Sequence, residues 1–282
     1  MSKLSAHINN VALHHSVFAL PFAYMGLFLA SNGLPSLHDF IWVTLAMIGA
    51  RSSALSMDNL DDLKFDKNQP RFVNRALVSG KIKPIEAIIV ILISLAVFLF
   101  SAMQLTPICL KLTPICLFFL LFYPYTKRFT FLCHYFLGVA LAMAPAGGYI
   151  AVTGTLPLGI IFLSAGVCLW IGSFDAIYGS QDYKFDIEHR LHSLATQFGV
   201  ANAHRIAAIL HAVSILCFIL TGIYFDLHYI YYAGVVIAII TLIYQHSIIS
   251  PQDFSRLTQV YFMRNGIVAI AIFIFTLIAI LN

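Results

Sequence analysis

The chain has 282 residues, of which 60% are hydrophobic and only 10% charged, with a formal net charge of +4. A soluble domain carries about 25% charged residues, so this composition excludes an ordinary soluble protein and indicates an integral membrane one. The mild positive balance does not point to nucleic acid, because the basic residues sit in loops rather than in one soluble patch.

A bilayer-spanning helix needs about 20 mostly apolar residues. The polar start, MSKLSAHINN, leads into a full-length apolar run with no small-residue cleavage site after a short core. That pattern predicts a retained first span rather than a cleaved signal peptide. Nine spans are predicted, at 11–30, 40–57, 84–103, 107–125, 131–152, 156–174, 203–225, 229–244 and 260–281. The third and fourth are the least sharply divided, because Lys111 and the repeated LTPICL blur their boundary. No polar stretch is long enough for a second domain, so one all-α transmembrane domain over 1–282 is expected. The five cysteines lie in or beside apolar runs, without a CxxC pair, and are read as buried free thiols.

Basic residues set orientation. With nine spans, the N-terminus and the loops after spans two, four, six and eight share one side. Most of the lysines and arginines fall there, while the opposite side holds only Lys111. The expected placement is a multi-pass membrane protein with a cytoplasmic N-terminus.

Two aspartate series lie at span ends on that same side: Asp58, Asp62 and Asp66 after the second span, and Asp175, Asp182 and Asp186 after the sixth, with Tyr178 among them. Residues four apart share one helix face. Acids beside a membrane are costly and mark ion, proton or substrate sites. Mg²⁺ takes oxygen ligands and is commonly held by one or two carboxylates plus substrate phosphates. Asp58, Asp62, Asp66, Asp182 and Asp186 are the expected metal ligands. Two facing clusters would suit divalent metals holding a diphosphate. Lys67, Arg71 and Arg75 follow the first series, Lys127 and Arg128 follow Tyr123, and Lys184 lies inside the second. These cations suit phosphate oxygens. Arg51, inside the second span, needs an anionic partner and is the candidate for a substrate carboxylate or phosphate. Asp61 and Glu188 fall off the cluster faces and read as solvated. His14, His15 and His134 show no metal-ligand spacing and read as packing or hydrogen-bonding residues. The aromatic residues Phe118, Phe119, Phe122, Tyr123 and Tyr125 read as lipid-facing or core, with an isoprenoid tunnel as the alternative. A membrane transporter is disfavoured, because transporters place acids at mid-membrane on broken helices. A CDP-alcohol phosphotransferase is disfavoured by the absence of a D-G-x-x-A-R run.

These motifs resemble the UbiA superfamily of intramembrane aromatic prenyltransferases, whose members carry N-x-x-x-D-x-x-x-D and D-x-x-Y-x-x-x-D-x-x-x-D. The second motif is matched in full by Asp175, Tyr178, Asp182 and Asp186; the first is matched at Asp62 and Asp66, with Asp58 where the family usually has Asn. FALPF (18–22), GARS (49–52), NRALVSGKI (74–82), YPYTKRFTFLCH (123–134) and Asn265 in FMRNG extend the resemblance over nearly the whole chain. It implies nine helices around a central cavity and Mg²⁺-dependent transfer of a polyprenyl group from its diphosphate to a ring carbon of a 4-hydroxybenzoate-type acceptor, in quinone biosynthesis at a bacterial inner membrane. It also implies that Asp175 and Tyr178, with Asp62 and Asp182, carry the chemistry, and that Tyr123 and Asn265 contact substrate. The same chemistry on 1,4-dihydroxy-6-naphthoate is the alternative. Chain length of the donor and oligomeric state are not legible in the sequence.

Overall fold

The computed structural model describes residues 3–10, 20–69, 72–255, 257 and 262–282. Its described residues form helices and connecting turns, with no strand among them. A short α1 (Lys3–Asn10) precedes α2 (Leu20–Ser31), α3 (Leu37–Asp61) and the single turn α4 (Leu63–Asp66). Then follow α5 (Pro84–Met103), α6 (Pro107–Thr126), α7 (Cys133–Thr153) and α8 (Leu158–Gly179). A 3-10 turn (Ser180–Asp182), α9 (Tyr183–Glu188) and α10 (Leu194–Phe198) lead into α11 (Val200–Tyr224), α12 (Ile230–Ile248) and α13 (Phe262–Leu281).

Among the described residues, seven helices are long and apolar enough to cross a membrane: α3, α5, α6, α7, α8 with its extension, α11 and α12. Two shorter apolar stretches, Leu20–Ser31 and Asn265–Leu281, stand where the first and ninth spans are predicted. Residues 11–19 of the first span, including His14 and His15, lie outside the described residues. Nine full spans are therefore not established, although the all-helical class is as expected.

Local signals explain the boundaries. Ser36 caps α3 by accepting the Asp39 backbone N–H at 3.0 Å. Pro84 and Pro107 open α5 and α6, where a missing N–H costs nothing. Gly154 closes α7 in the left-handed conformation, at φ 68°.

Helix contacts run α2 to α7, α7 to α8, α8 to α11, α11 to α12, α12 to α13 and α13 back to α2. On the other side α3 packs on α5, and α6 bridges α3 and α7. Phe22, Leu163, Trp170, Phe218 and Tyr231 fill the larger core without exposed surface. Small residues set the closest crossing. A Cβ on Gly26 would strike the Pro145 carbonyl, and one on Gly148 would strike the Ala23 carbonyl. The backbones of α2 and α7 thus touch, as in small-residue crossings between membrane helices.

Candidate active site

Each aspartate series folds in the same way, and not as one continuous helix. The first breaks at Asp62, which ends α3 and starts α4. The second breaks at the 3-10 turn ending in Asp182, which starts α9. Like charges four apart repel within a helix, and aspartate favours caps over helix interiors. The helix is interrupted at the middle acid of each series, and the last acid is buried in the protein. Asp66 is 3% exposed and pairs with Arg75 at 2.5 Å. Asp186 has no exposed surface and pairs with Lys127 at 2.8 Å.

The two series meet. Asp58 is close enough to Asp62, Arg75 and Asp175 to feel their charges, and Asp62 to Asp66, Arg75 and Lys127. Burial, reinforced by the neighbouring Asp66 charge, pushes the Asp62 carboxyl up to about 6. Burial pulls the Lys127 ammonium down, but Asp186 and Asp182 outweigh it and the net shift is upward.

A cavity of about 710 Å³ opens below this acidic mouth, within the usual ~300–1,000 Å³ of ligand pockets. Val43, Met47, Arg51, Leu55, Asp58 and Asp62 line it along α3. At 1.5 Å rise per residue, Val43 to Asp58 is about 22 Å, apolar at one end and acidic at the other. Leu112, Cys116, Leu137 and Met143 continue the apolar wall from α6 and α7.

Of the residues singled out in the sequence, Arg51, Asp58, Asp62, Asp66, Arg75, Tyr123, Lys127, Arg128, Asp175, Tyr178, Asp182 and Asn265 all line this one cavity. Tyr123 lies beside both Arg51 and Asp58. Asn265 is fully buried, and neither of its amide atoms meets a hydrogen-bond partner among the described residues. Arg51 Nε is likewise buried without a partner.

Other expectations need correction. Lys67 and Lys184 are exposed and do not line the cavity. Lys67 directly follows the inward-facing Asp66, and residues one apart on a helix do not share a face. Lys184 lies two residues before the inward-facing Asp186, with the same result. Asp186 stands behind Lys127 and outside the lining. Arg71 lies outside the described residues. Asp61 is not simply solvated: Tyr125 donates its hydroxyl to Asp61 Oδ1 at 2.6 Å, and neither residue lines the cavity. Glu188 is exposed, as expected. Phe118, Phe119 and Phe122 do not line the cavity, and Phe118 faces outward.

Gln69 and Thr113 line the cavity without being singled out in the sequence, and His134, read there as a packing or hydrogen-bonding residue, has a partner that the sequence does not name. His134 lines the cavity, with Nδ1 2.7 Å from Asp175 Oδ2. No spacing in the sequence reveals this pair, which is 41 residues apart and joined only by the packing of α7 on α8. His192, beyond the second series, acts through its backbone. Its N–H donates to the Lys127 carbonyl at 2.7 Å and ties that loop to the lysine.

Comparison with known proteins agrees with this architecture. The model of the UbiA prenyltransferase family matches residues 19–267. The chain is 30% identical over 253 residues to the 4-hydroxybenzoate octaprenyltransferase of Pseudoalteromonas translucida (strain TAC 125), covering 89% of this chain and 85% of that one. It is 29% identical over 254 residues to the protein of the same name from Vibrio campbellii, covering 90% and 88%. Among solved structures, the apo structure of a UbiA homolog from Aeropyrum pernix K1 is similar at TM-score 0.85 and 29% identity, covering 94% and 98%. A UbiA homolog from Archaeoglobus fulgidus bound to GPP and Mg²⁺ shares the fold at TM-score 0.74 and 16% identity, covering 98% and 99%. With the family model spanning most of its length, and with both aspartate series converging on one cavity, the chain belongs to the UbiA prenyltransferase family.

Proposed function

We propose that the protein transfers a polyprenyl group from a polyprenyl diphosphate to a ring carbon of a hydroxyaryl carboxylate of the 4-hydroxybenzoate type. The observation that carries this reading is one cavity, acidic and cationic at its mouth and apolar at its far end, with about 22 Å along α3 between Asp58 and Val43. That shape matches a diphosphate headgroup with an isoprenoid tail. The names of the curated relatives favour a 4-hydroxybenzoate acceptor.

The donor set fits Mg²⁺. Hard carboxylate oxygens line the mouth, and burial with the neighbouring Asp66 charge raises the Asp62 carboxyl in spite of Arg75 and Lys127. Among the described residues no three His, Cys, Asp or Glu side chains form a ready cage. This suits a cation that keeps waters and takes oxygens from a phosphate. Asp58, Asp62, Asp66 and Asp182, which line the cavity, would hold it, and it would supply positive charge to the departing diphosphate.

The chain's own groups do the rest. Arg75, Lys127 and Arg128 bind phosphate oxygens and help neutralise them as the C1–O bond breaks. The apolar walls exclude water from the allylic cation. Arg51 receives the acceptor carboxylate, with Tyr123 and Asn265 beside it. Asp175 and Tyr178 hold the acceptor hydroxyl so that the ortho carbon faces C1. The new C–C bond forms there and the ring carbon loses its proton. The bias of basic residues supports a mouth on the cytoplasmic side of the membrane.

The test offers Mg²⁺, a long-chain polyprenyl diphosphate and two acceptors in parallel, 4-hydroxybenzoate and 1,4-dihydroxy-6-naphthoate, to membranes containing the protein. Mass spectrometry should find the prenylated benzoate. A prenylated naphthoate alone moves the protein to the other acceptor, and neither product in verified membranes defeats the reading.

A further inference from the structure

His134 stands second in α7, and its Nδ1 lies 2.7 Å from Asp175 Oδ2 on α8. The side chains differ in exposure, 5% for the histidine and 31% for the aspartate. Both line the cavity, with the imidazole the more buried and the carboxylate the more open of the two. An ionised carboxylate only accepts hydrogen bonds, so Nδ1 carries the hydrogen and donates it. One carboxylate oxygen is occupied in this way, and the other stays available.

The opposite nitrogen tells why a histidine stands here. His134 Nε2 is buried and meets no hydrogen-bond partner among the described residues. A buried unpaired polar atom is destabilising, and a leucine at this position would avoid it. Packing alone does not explain the residue, whereas the contact to Asp175 does. Gly179 supplies the room. A Cβ there would come within 3.0 Å of His134 Cε1. The glycine has ordinary helical angles, φ −69° and ψ −17°, so it serves space rather than backbone freedom.

We infer that His134 is a positioning residue for the acceptor. It holds Asp175 in one orientation by donating to one oxygen, so that the other meets the acceptor hydroxyl, and Gly179 leaves space for the ring. The inference rests on the reading of Asp175 as the group that holds the acceptor. The prenyl diphosphate has no part in this contact, so the effect belongs to the acceptor.

The test uses the full-length protein in lipid, with steady-state kinetics for each substrate. His134→Leu should lower kcat/KM for the acceptor about 10- to 100-fold, as expected for a lost hydrogen bond to a charged group. KM for the prenyl diphosphate should stay within about twofold. His134→Asn, whose amide N–H can stand in for Nδ1–H, should recover activity to within about fivefold of the starting protein. Adding His134→Leu to Asp175→Asn should cause no further loss, because the histidine acts through that carboxylate. Gly179→Ala, which pushes the ring from behind, should reproduce the acceptor defect in milder form and serves if His134→Leu does not fold. The inference is overturned if His134→Leu matches the starting protein, if it impairs both substrates alike, or if its loss persists in full on Asp175→Asn. A starting protein that prenylates no hydroxyaryl acceptor defeats the proposed function and the inference with it. Normal transfer with an indifferent His134 defeats the inference alone.

Discussion

Replacing Lys127 by methionine would strand a buried carboxylate, and the cost follows from the geometry. Lys127 Nζ lies 2.8 Å from Asp186 Oδ1, with the aspartate fully buried and the lysine side chain 29% exposed. At an effective dielectric constant near 20, unit charges at that distance attract by about 6 kcal/mol, much of it cancelled by desolvation. Removing one partner of a buried pair costs about 3–5 kcal/mol, because the other charge stays behind. Asp186 has further interactions and the lysine is partly wet, so the lower end, about 3 kcal/mol, is expected. In a chain of this size that lowers the unfolding midpoint by about 6 °C. Thermal unfolding of the detergent-purified protein at one scan rate should show it. The Lys127→Met/Asp186→Asn double variant removes the stranded charge and should recover about half of the loss. The net upward shift of Lys127 fixes the pH dependence. A raised lysine contributes stability that is complete below about 10.4 and is lost only at higher pH. The difference in midpoint should therefore hold constant from about pH 7 to 9. A single variant within about 1 °C of the starting protein, or a double variant whose loss equals the sum of the two singles, would refute this reasoning.

Asp62→Ala and Asp182→Ala should each cut prenyl transfer by about 100-fold or more while the protein still inserts and extracts normally; near-normal turnover by inserted protein would sink the metal assignment. Because Asp62 is pushed up to about 6, protons should compete with the cation below that pH. The Mg²⁺ concentration for half-maximal rate should rise as pH falls from about 7 to 5, and a flat titration counts against Asp62 as a ligand. Asp58→Asn, which restores the residue usual in the family, should keep transfer within about tenfold and shift the Mg²⁺ requirement, as removal of one ligand charge implies. An inactive Asp58→Asn protein would make the extra carboxylate essential to this chain.

The sequence carried the helical class because apolar runs of span length are set by composition. The observed α5 has the predicted bounds, and α3, α6, α7 and α12 differ from theirs by a few residues. It also carried the meeting of the two acidic series, since the lysines and arginines already put both on one side. What it could not carry was the helix interruption at each middle aspartate. A spacing of four reads as a continuous helix, while charge repulsion and the capping preference of Asp62 and Asp182 break it. Lys67 and Lys184 lie one and two residues from the buried Asp66 and Asp186, and so face away from the cavity. Partners far apart in the chain, Tyr125 with Asp61 and His134 with Asp175, leave no local trace. Only packing of one helix against another creates them.

The most direct test of the central claim follows both products of one reaction. The purified protein in lipid would receive a polyprenyl diphosphate, 4-hydroxybenzoate and Mg²⁺. Released diphosphate and prenylated acceptor would be counted together, with the bonding site assigned by NMR. One diphosphate released per ring carbon prenylated ortho to the hydroxyl, with neither product in the absence of divalent cation, is the expected result. Diphosphate released without a carbon–carbon bond, or transfer that survives full chelation of the metal, would contradict it.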